Sequence, residues 1–298
     1  MGFLRDARIV SRALDRYYRR SQRSAGPVIR QPPLAQIVAD LELPTLAREG
    51  GLTGRHLARF MGEYLQRTTA LHHPAYLAHQ VAVPHPSGSL ASMVDGFTNN
   101  AMAIYEMGPA AAAIEYFVVN WMLEKVGWLP APYPGQTGAA AERGAGPTPA
   151  AGPGGPGGGV LTHGGSLANL TALLAARSRL VPEVWETGNP GDLALLAPAG
   201  SHYSVARAAG ILGLGHRSIY ELEVDHRGVV RSDRLSAALQ RLRSDGKRPF
   251  ALVANACSTA LGQYDPLEEI TASCGEHDLW LHVDGAHGAS ALLSAEQR

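Results

Sequence analysis

The chain has 298 residues, 45% hydrophobic and 17% charged, which is the composition of an ordinary folded protein with ample core. Lys+Arg and Asp+Glu balance at 26 each, which argues against a broad basic surface for nucleic acid. No apolar run approaches the roughly 20 residues that span a bilayer, and two cysteines (Cys257 and Cys274) without a secretory signal or metal-ligand spacing point to a reducing cytoplasm.

The first 23 residues are rich in arginine (Arg5, Arg8, Arg12, Arg16, Arg19, Arg20, Arg23), but Asp6 and Asp15 interrupt them. They read as a solvated amphipathic helix rather than an organelle transit peptide. Residues 1–70 are helical in pattern, with Leu57, Phe60, Met61, Tyr64 and Leu65 at three-to-four spacing. His72, His73, His79 and His85 cluster next, yet no carboxylate or cysteine spacing completes a metal site. A strong helix is expected around Ala110–Val126. In 131–159, 16 of 29 residues are Gly or Pro, too little apolar surface to offset the ordering entropy. That stretch reads as a flexible surface insertion and not as a phosphate loop.

From Val160 onward strands alternate with helices. Helices are expected over Leu167–Leu180, Val205–Leu212, Ser232–Leu242 and Leu267–His277. Strands are expected over Leu193–Ala197, Ser218–Leu222, Phe250–Ala254 and Leu279–Val283. This is the pattern of an α/β domain with a mainly parallel sheet covered on both faces. Such sheets bind ligands at the carboxyl ends of their strands and the amino ends of their helices.

Three features fall at those places. Thr162-His163-Gly164-Gly165-Ser166 opens a helix with small residues, which suits an anion on free N–H groups, or an ordinary N-cap with a glycine turn. His202, just after a strand, can stack on a planar ring, or simply cap the next helix. Asp284 ends a hydrophobic strand, where a buried carboxylate wants a cationic partner such as a pyridinium nitrogen, or caps the following turn. Together, in this order on successive βα units, they are the parts needed to hold pyridoxal phosphate.

The sequence resembles the group II pyridoxal-phosphate decarboxylases, which include enzymes acting on glutamate, cysteine sulfinate, aspartate, diaminobutyrate and aromatic amino acids. The resemblance runs from about Leu71 to the end. It is carried by His73-Pro74, Thr98-Asn99-Asn100 with Tyr105-Glu106 and Pro109, Thr162–Asn169 with Leu173–Arg177, Ser201-His202-Tyr203-Ser204, and Asp265-Pro266-Leu267 with Trp280–Asp284. It implies an aspartate-aminotransferase-like (fold type I) large domain over 71–298, incomplete, preceded by an N-terminal helical dimerisation segment over 1–70. Gly165 and Ser166 would then bind phosphate and His202 would stack on the ring. Thr259 would lie beside the cofactor, Asp284 would pair with the ring nitrogen, and Ala286 would pack on the other ring face. It also implies a homodimer, and a small acidic amino acid as substrate, with Asn99 and Asn100 where relatives acting on acidic substrates place polar groups.

Three departures from the family pattern stand out. Relatives carry a Schiff-base lysine after a histidine, beyond the aspartate block, whereas the lysines here are Lys125 and Lys247, without those neighbours. Gly285-Ala286-His287 stands where many relatives have two alanines and an aromatic, and Ala256-Cys257-Ser258 where Gly and Thr are usual. The expectation is a chain truncated before its lysine and inactive by itself. The alternative is a degenerate, non-catalytic homologue that binds or dimerises.

Overall fold

The run Leu193–Pro198 is buried at all six positions, which only the centre of a sheet covered on both faces provides. In the computed structural model, which describes residues 2–77, 81–135 and 157–297, that run is β1. β2 is Ile219–Leu222, β3 Arg248–Asn255 and β4 Trp280–Asp284; all pair in parallel, in the order β2-β1-β3-β4. The chain divides into two compact units, Met1–Asn100 and Ala101–Arg298, and the sheet belongs to the second. Residues 136–156, most of the Gly/Pro-rich stretch, lie outside the described residues, as does His79.

The first unit is helical: α1 (Phe3–Gln22), α2 (Leu34–Asp40), α3 (Leu43–Glu49), α4 (Gly54–Gln66) and α5 (Pro86–Thr98). α1 packs on α4, and the Asp6 carboxylate accepts the Gly54 N–H at 3.1 Å, satisfying one orphan donor at the start of α4. Arg67 pairs with both Asp40 and Glu63. The sequence pattern gives no separate signal for α5: Gly88 and Gly96 lower its helix propensity, and none of its residues is buried. It starts with Pro86 in the first turn, and His85 Nδ1 accepts the Ser87 N–H at 3.3 Å. His72 Nε2 contacts the Pro84 carbonyl and His73 Nδ1 accepts the Ala75 N–H. Among the described residues no group of three His, Cys, Asp or Glu is placed to hold a metal.

The second unit begins with α6 (Pro109–Lys125) and continues with α7 (Gly165–Leu180), the short α8 (Val184–Thr187), α9 (Tyr203–Ile211), α10 (Leu235–Ser244) and α11 (Leu267–Glu276). Side-chain alternation along the strands sends Leu193, Leu195 and Ala197 to one face. There they meet Leu173 and Ala176 of α7 and Val205, Ala208 and Ala209 of α9. Ala194, Leu196, Leu252 and Ala254 face the other way, onto Leu235, Leu239 and Leu242 of α10 and Ile270 and Cys274 of α11. The result is three layers, helix–sheet–helix. Burial pushes the Cys274 thiol up to about 11, so it packs there as a small hydrophobe.

Two boundaries differ from expectation for identifiable reasons. β3 begins at Arg248, not Phe250, and includes Pro249. The missing proline N–H coincides with a register shift between Ala194 and Leu195 on β1. The helix expected from Ser232 opens with a 3₁₀ turn over Ser232–Arg234, where Arg231 holds Asp233 through two hydrogen bonds, and becomes α-helical only at Leu235. Among the described residues no helix is long and apolar enough to cross a membrane.

Candidate active site

In a parallel sheet every strand delivers its carboxyl end to one edge, so the turns after β1, β3 and β4 and the start of α7 are brought together by topology. Gly164 precedes α7 with φ +88°, a conformation glycine adopts without steric cost. Gly165 and Ser166 therefore lie in the first helical turn, where N–H groups have no intrahelical acceptor. A Cβ built on Gly165 would stand 2.8 Å from the Ala286 methyl, so the glycine is what lets α7 approach the turn after β4.

Asp284 ends β4 and is 8% exposed. One carboxylate oxygen accepts the Ala286 N–H at 3.2 Å and the other accepts Asn169 Nδ2 at 2.8 Å. No arginine or lysine pairs with it among the described residues. A buried carboxylate with two donors still has lone pairs to offer, and it lacks the cation that burial calls for.

His202 is half-buried and caps α9: its Nδ1 accepts the Ser204 N–H at 3.3 Å and lies 2.7 Å from Ser204 Oγ. The capping alternative is thus realised, in a residue that reaches Asn169 and Asp284 through Ser204. Its ring lies against Tyr203, centroids 4.1 Å apart. Just before it, Ser201 Oγ is buried with no hydrogen-bond partner among the described residues. Thr259 is exposed in the loop after β3, which Ser258 closes by donating its N–H to Gln263 O at 2.7 Å and accepting the Gly262 N–H at 2.9 Å. That loop is anchored by Asp265, which accepts the Asn255 N–H and Nδ2 and the Val230 N–H.

Three residues absent from the expected set connect the rest. Asn169 Nδ2 donates to both Asp284 and Ser204 Oγ, at 2.8 and 2.9 Å, and Asn169 Oδ1 lies 2.8 Å from His282 Nε2. Burial lowers the His282 pKa, with the nearby Asp284 charge opposing, so the ring is neutral and donates Nε2–H to Asn169. The available signal was a polar Asn169 on the face of α7 that otherwise buries Leu173 and Ala176. Arg177, in the same sequence block, instead binds Leu212 O and Asn189 at the other end of α7 and serves packing.

The residues fit pyridoxal phosphate on three counts: an uncompensated buried carboxylate, an orphaned Ser201 hydroxyl beside His202, and a helix start held open by Gly165. Lys247 does not lie at this edge. Lys247 directly precedes β3, whose eight residues span about 25 Å to the site edge, and Lys125 ends α6 with its Nζ 5.4 Å from the Trp121 ring centroid.

Comparison with known proteins agrees with this arrangement. The model of the pyridoxal-dependent decarboxylase conserved domain matches residues 66–298. Acidic amino acid decarboxylase GADL1 of Mus musculus is 31% identical over 272 residues, covering 90% of this chain and 44% of the relative. Human cysteine sulfinic acid decarboxylase is 27% identical over 271 residues, 90% and 49%. The structure of mouse CSAD in apo form superposes with a TM-score of 0.81 at 24% identity, covering 98% of this chain and 56% of that one, which establishes the shared fold. The chain spans about half the length of the curated relatives it matches. With most of its length matched by the family model, and the fold and the site edge in agreement, this chain belongs to the pyridoxal-dependent decarboxylase family.

Proposed function

We propose that this stretch is the cofactor-holding part of an amino-acid carboxy-lyase acting on a small acidic amino acid. The observation that carries it is the buried Asp284 carboxylate, without a cationic side-chain partner among the described residues and linked through Asn169 and Ser204 to His202. When bound, pyridoxal phosphate supplies the electron sink that lets a carbon–carboxylate bond break. Asp284 would keep the ring nitrogen protonated, and His202 would lie on one ring face with Ala286 on the other. Gly165 and Ser166 would offer N–H groups to the phosphate, with Thr259 beside the ring.

The acidic substrate is favoured by likeness to relatives named for acidic amino acids and for cysteine sulfinic acid. Asn99 and Asn100, the residues put forward for recognition, close α5 in the first unit. A homodimer belongs to this reading and is supported by exposed apolar side chains: Leu90, Val94 and Phe97 on α5 and, in the second unit, Ile114 and Phe117 on α6. A cytoplasmic setting fits the free thiols of Cys257 and Cys274.

Because neither Lys125 nor Lys247 has the sequence neighbours of the family's Schiff-base lysine, this polypeptide by itself should hold the cofactor without covalent attachment and release no CO₂. The test is incubation of the purified chain with pyridoxal phosphate, then borohydride reduction and mass analysis, with a parallel titration against pyridoxine 5′-phosphate. Saturable binding of pyridoxine 5′-phosphate with no pyridoxyl adduct is the expected result. A stoichiometric adduct on either lysine, or steady CO₂ release from an amino acid, would falsify the inactivity. Absence of binding overturns the assigned site.

A further inference from the structure

Asp284, Ser204 and His282 come from β4 and from the start of α9, and they share one neighbour. Asn169 is 3% exposed, and both of its amide hydrogens and one lone pair of its carbonyl oxygen are spent on them. The direction of each bond follows from the chemistry of the partners. The Asp284 carboxylate can only accept, so the group 2.8 Å from it is the Asn169 NH₂. The second NH₂ hydrogen goes to Ser204 Oγ, 2.9 Å away, so the Ser204 hydroxyl hydrogen is free to point to His202 Nδ1 at 2.7 Å. His202 Nδ1 also receives the Ser204 N–H, so it carries no proton and the ring hydrogen of His202 sits on Nε2. On the other side, the Asn169 carbonyl oxygen needs a donor, and His282 Nε2–H at 2.8 Å is that donor.

We infer that Asn169 is the positioning residue of the site: its one amide fixes the Asp284 carboxylate and sets which nitrogen of His202 and of His282 carries the proton. The inference rests on the reading that Asp284 and His202 receive the cofactor ring. Its physical basis is that a planar amide has only one orientation satisfying a carboxylate, a hydroxyl and a neutral imidazole together. A leucine of similar size satisfies none of them. An aspartate keeps an acceptor for His282 but sets a second negative charge against Asp284.

The experiment has two arms, both on the whole chain. In the first, ¹⁵N spectra of the histidine rings are recorded for the unliganded wild type and for Asn169→Leu and Asn169→Asp. Wild type should show the ring proton on Nε2 of both His202 and His282 and none on Nδ1 of His202, and both variants should lose that pattern at one ring or both. In the second arm, pyridoxine 5′-phosphate is titrated into each protein while its near-ultraviolet band reports protonation of the ring nitrogen. Wild type should hold the ring protonated, and each variant should bind about tenfold more weakly, with the band moved toward the unprotonated form.

Folded variants with unchanged histidine protons, affinity and band position overturn the inference. Should both variants fail to fold, the wild-type spectrum decides alone: a His202 proton on Nδ1, or a His282 without Nε2–H, overturns it, and the stated pattern upholds it. Failure of wild type to bind pyridoxine 5′-phosphate would count against the cofactor reading, while the unliganded histidine spectra still decide the role of Asn169.

Discussion

Burial holds the His282 imidazole below its ordinary value of 6.5, and the Asp284 charge beside it pulls the other way without prevailing. The sign of the linkage follows. In the unfolded chain His282 takes up a proton as pH falls through about 6.5, whereas in the folded chain it resists until lower pH. The unfolded state binds more protons in that window, so stability is at its full value above about 6.5 and declines below it. Urea unfolding at pH 7.5 and 5.5 should show this loss, and His282→Phe should show less of it. At Asp265 the argument is one of satisfaction. Its carboxylate accepts three hydrogen bonds from Asn255 and Val230 while buried. Asp265→Ala strands those donors and should cost on the order of 3 kcal/mol in the same assay.

At the scale of elements, the approach of α7 to the turn after β4 depends on the absence of one methyl. Gly165→Ala places a Cβ 2.8 Å from that of Ala286, and neither atom belongs to a flexible side chain. The helix start must shift, at about 1–3 kcal/mol, with weaker pyridoxine 5′-phosphate binding. The pair Gly165→Ala with Ala286→Gly should restore much of both, and thermal unfolding with the titration checks it. In β3, Leu252 is wholly buried between β1 and β4 and faces α10 and α11. Leu252→Ala should cost about 2–5 kcal/mol with little change in ligand affinity, because the cavity opens within the core and away from the site edge.

At the scale of the whole molecule, α5 and the end of the sheet leave large apolar side chains exposed. None of α5 is buried, and β4 pairs only with β3 among the described residues while Val283 is 38% exposed. The chain should self-associate, and light scattering after size exclusion should report a dimer or larger at micromolar concentration. Leu90→Glu with Phe97→Glu should shift the population toward monomer if α5 is the contact. No shift would place the contact elsewhere.

What the sequence by itself determined is the part governed by local rules. Short apolar runs alternating with helical stretches located all four strands within two residues, because a fully apolar run such as Leu193–Pro198 has few other places to go. The glycines before α7, the histidine after β1 and the aspartate ending β4 were legible because a parallel sheet gathers strand ends at one edge. α5 escaped, since its glycines and polar residues give no periodic signal. Tertiary structure alone decided which side chains meet. Asn169 and Asp284 are 115 residues apart, and Asn169 and Ser204 are 35 apart. No spacing encodes a hydrogen bond over such separations. Only the packing of α7 and α9 on one face of the sheet turned an inward-facing asparagine into the link between a carboxylate and two imidazoles.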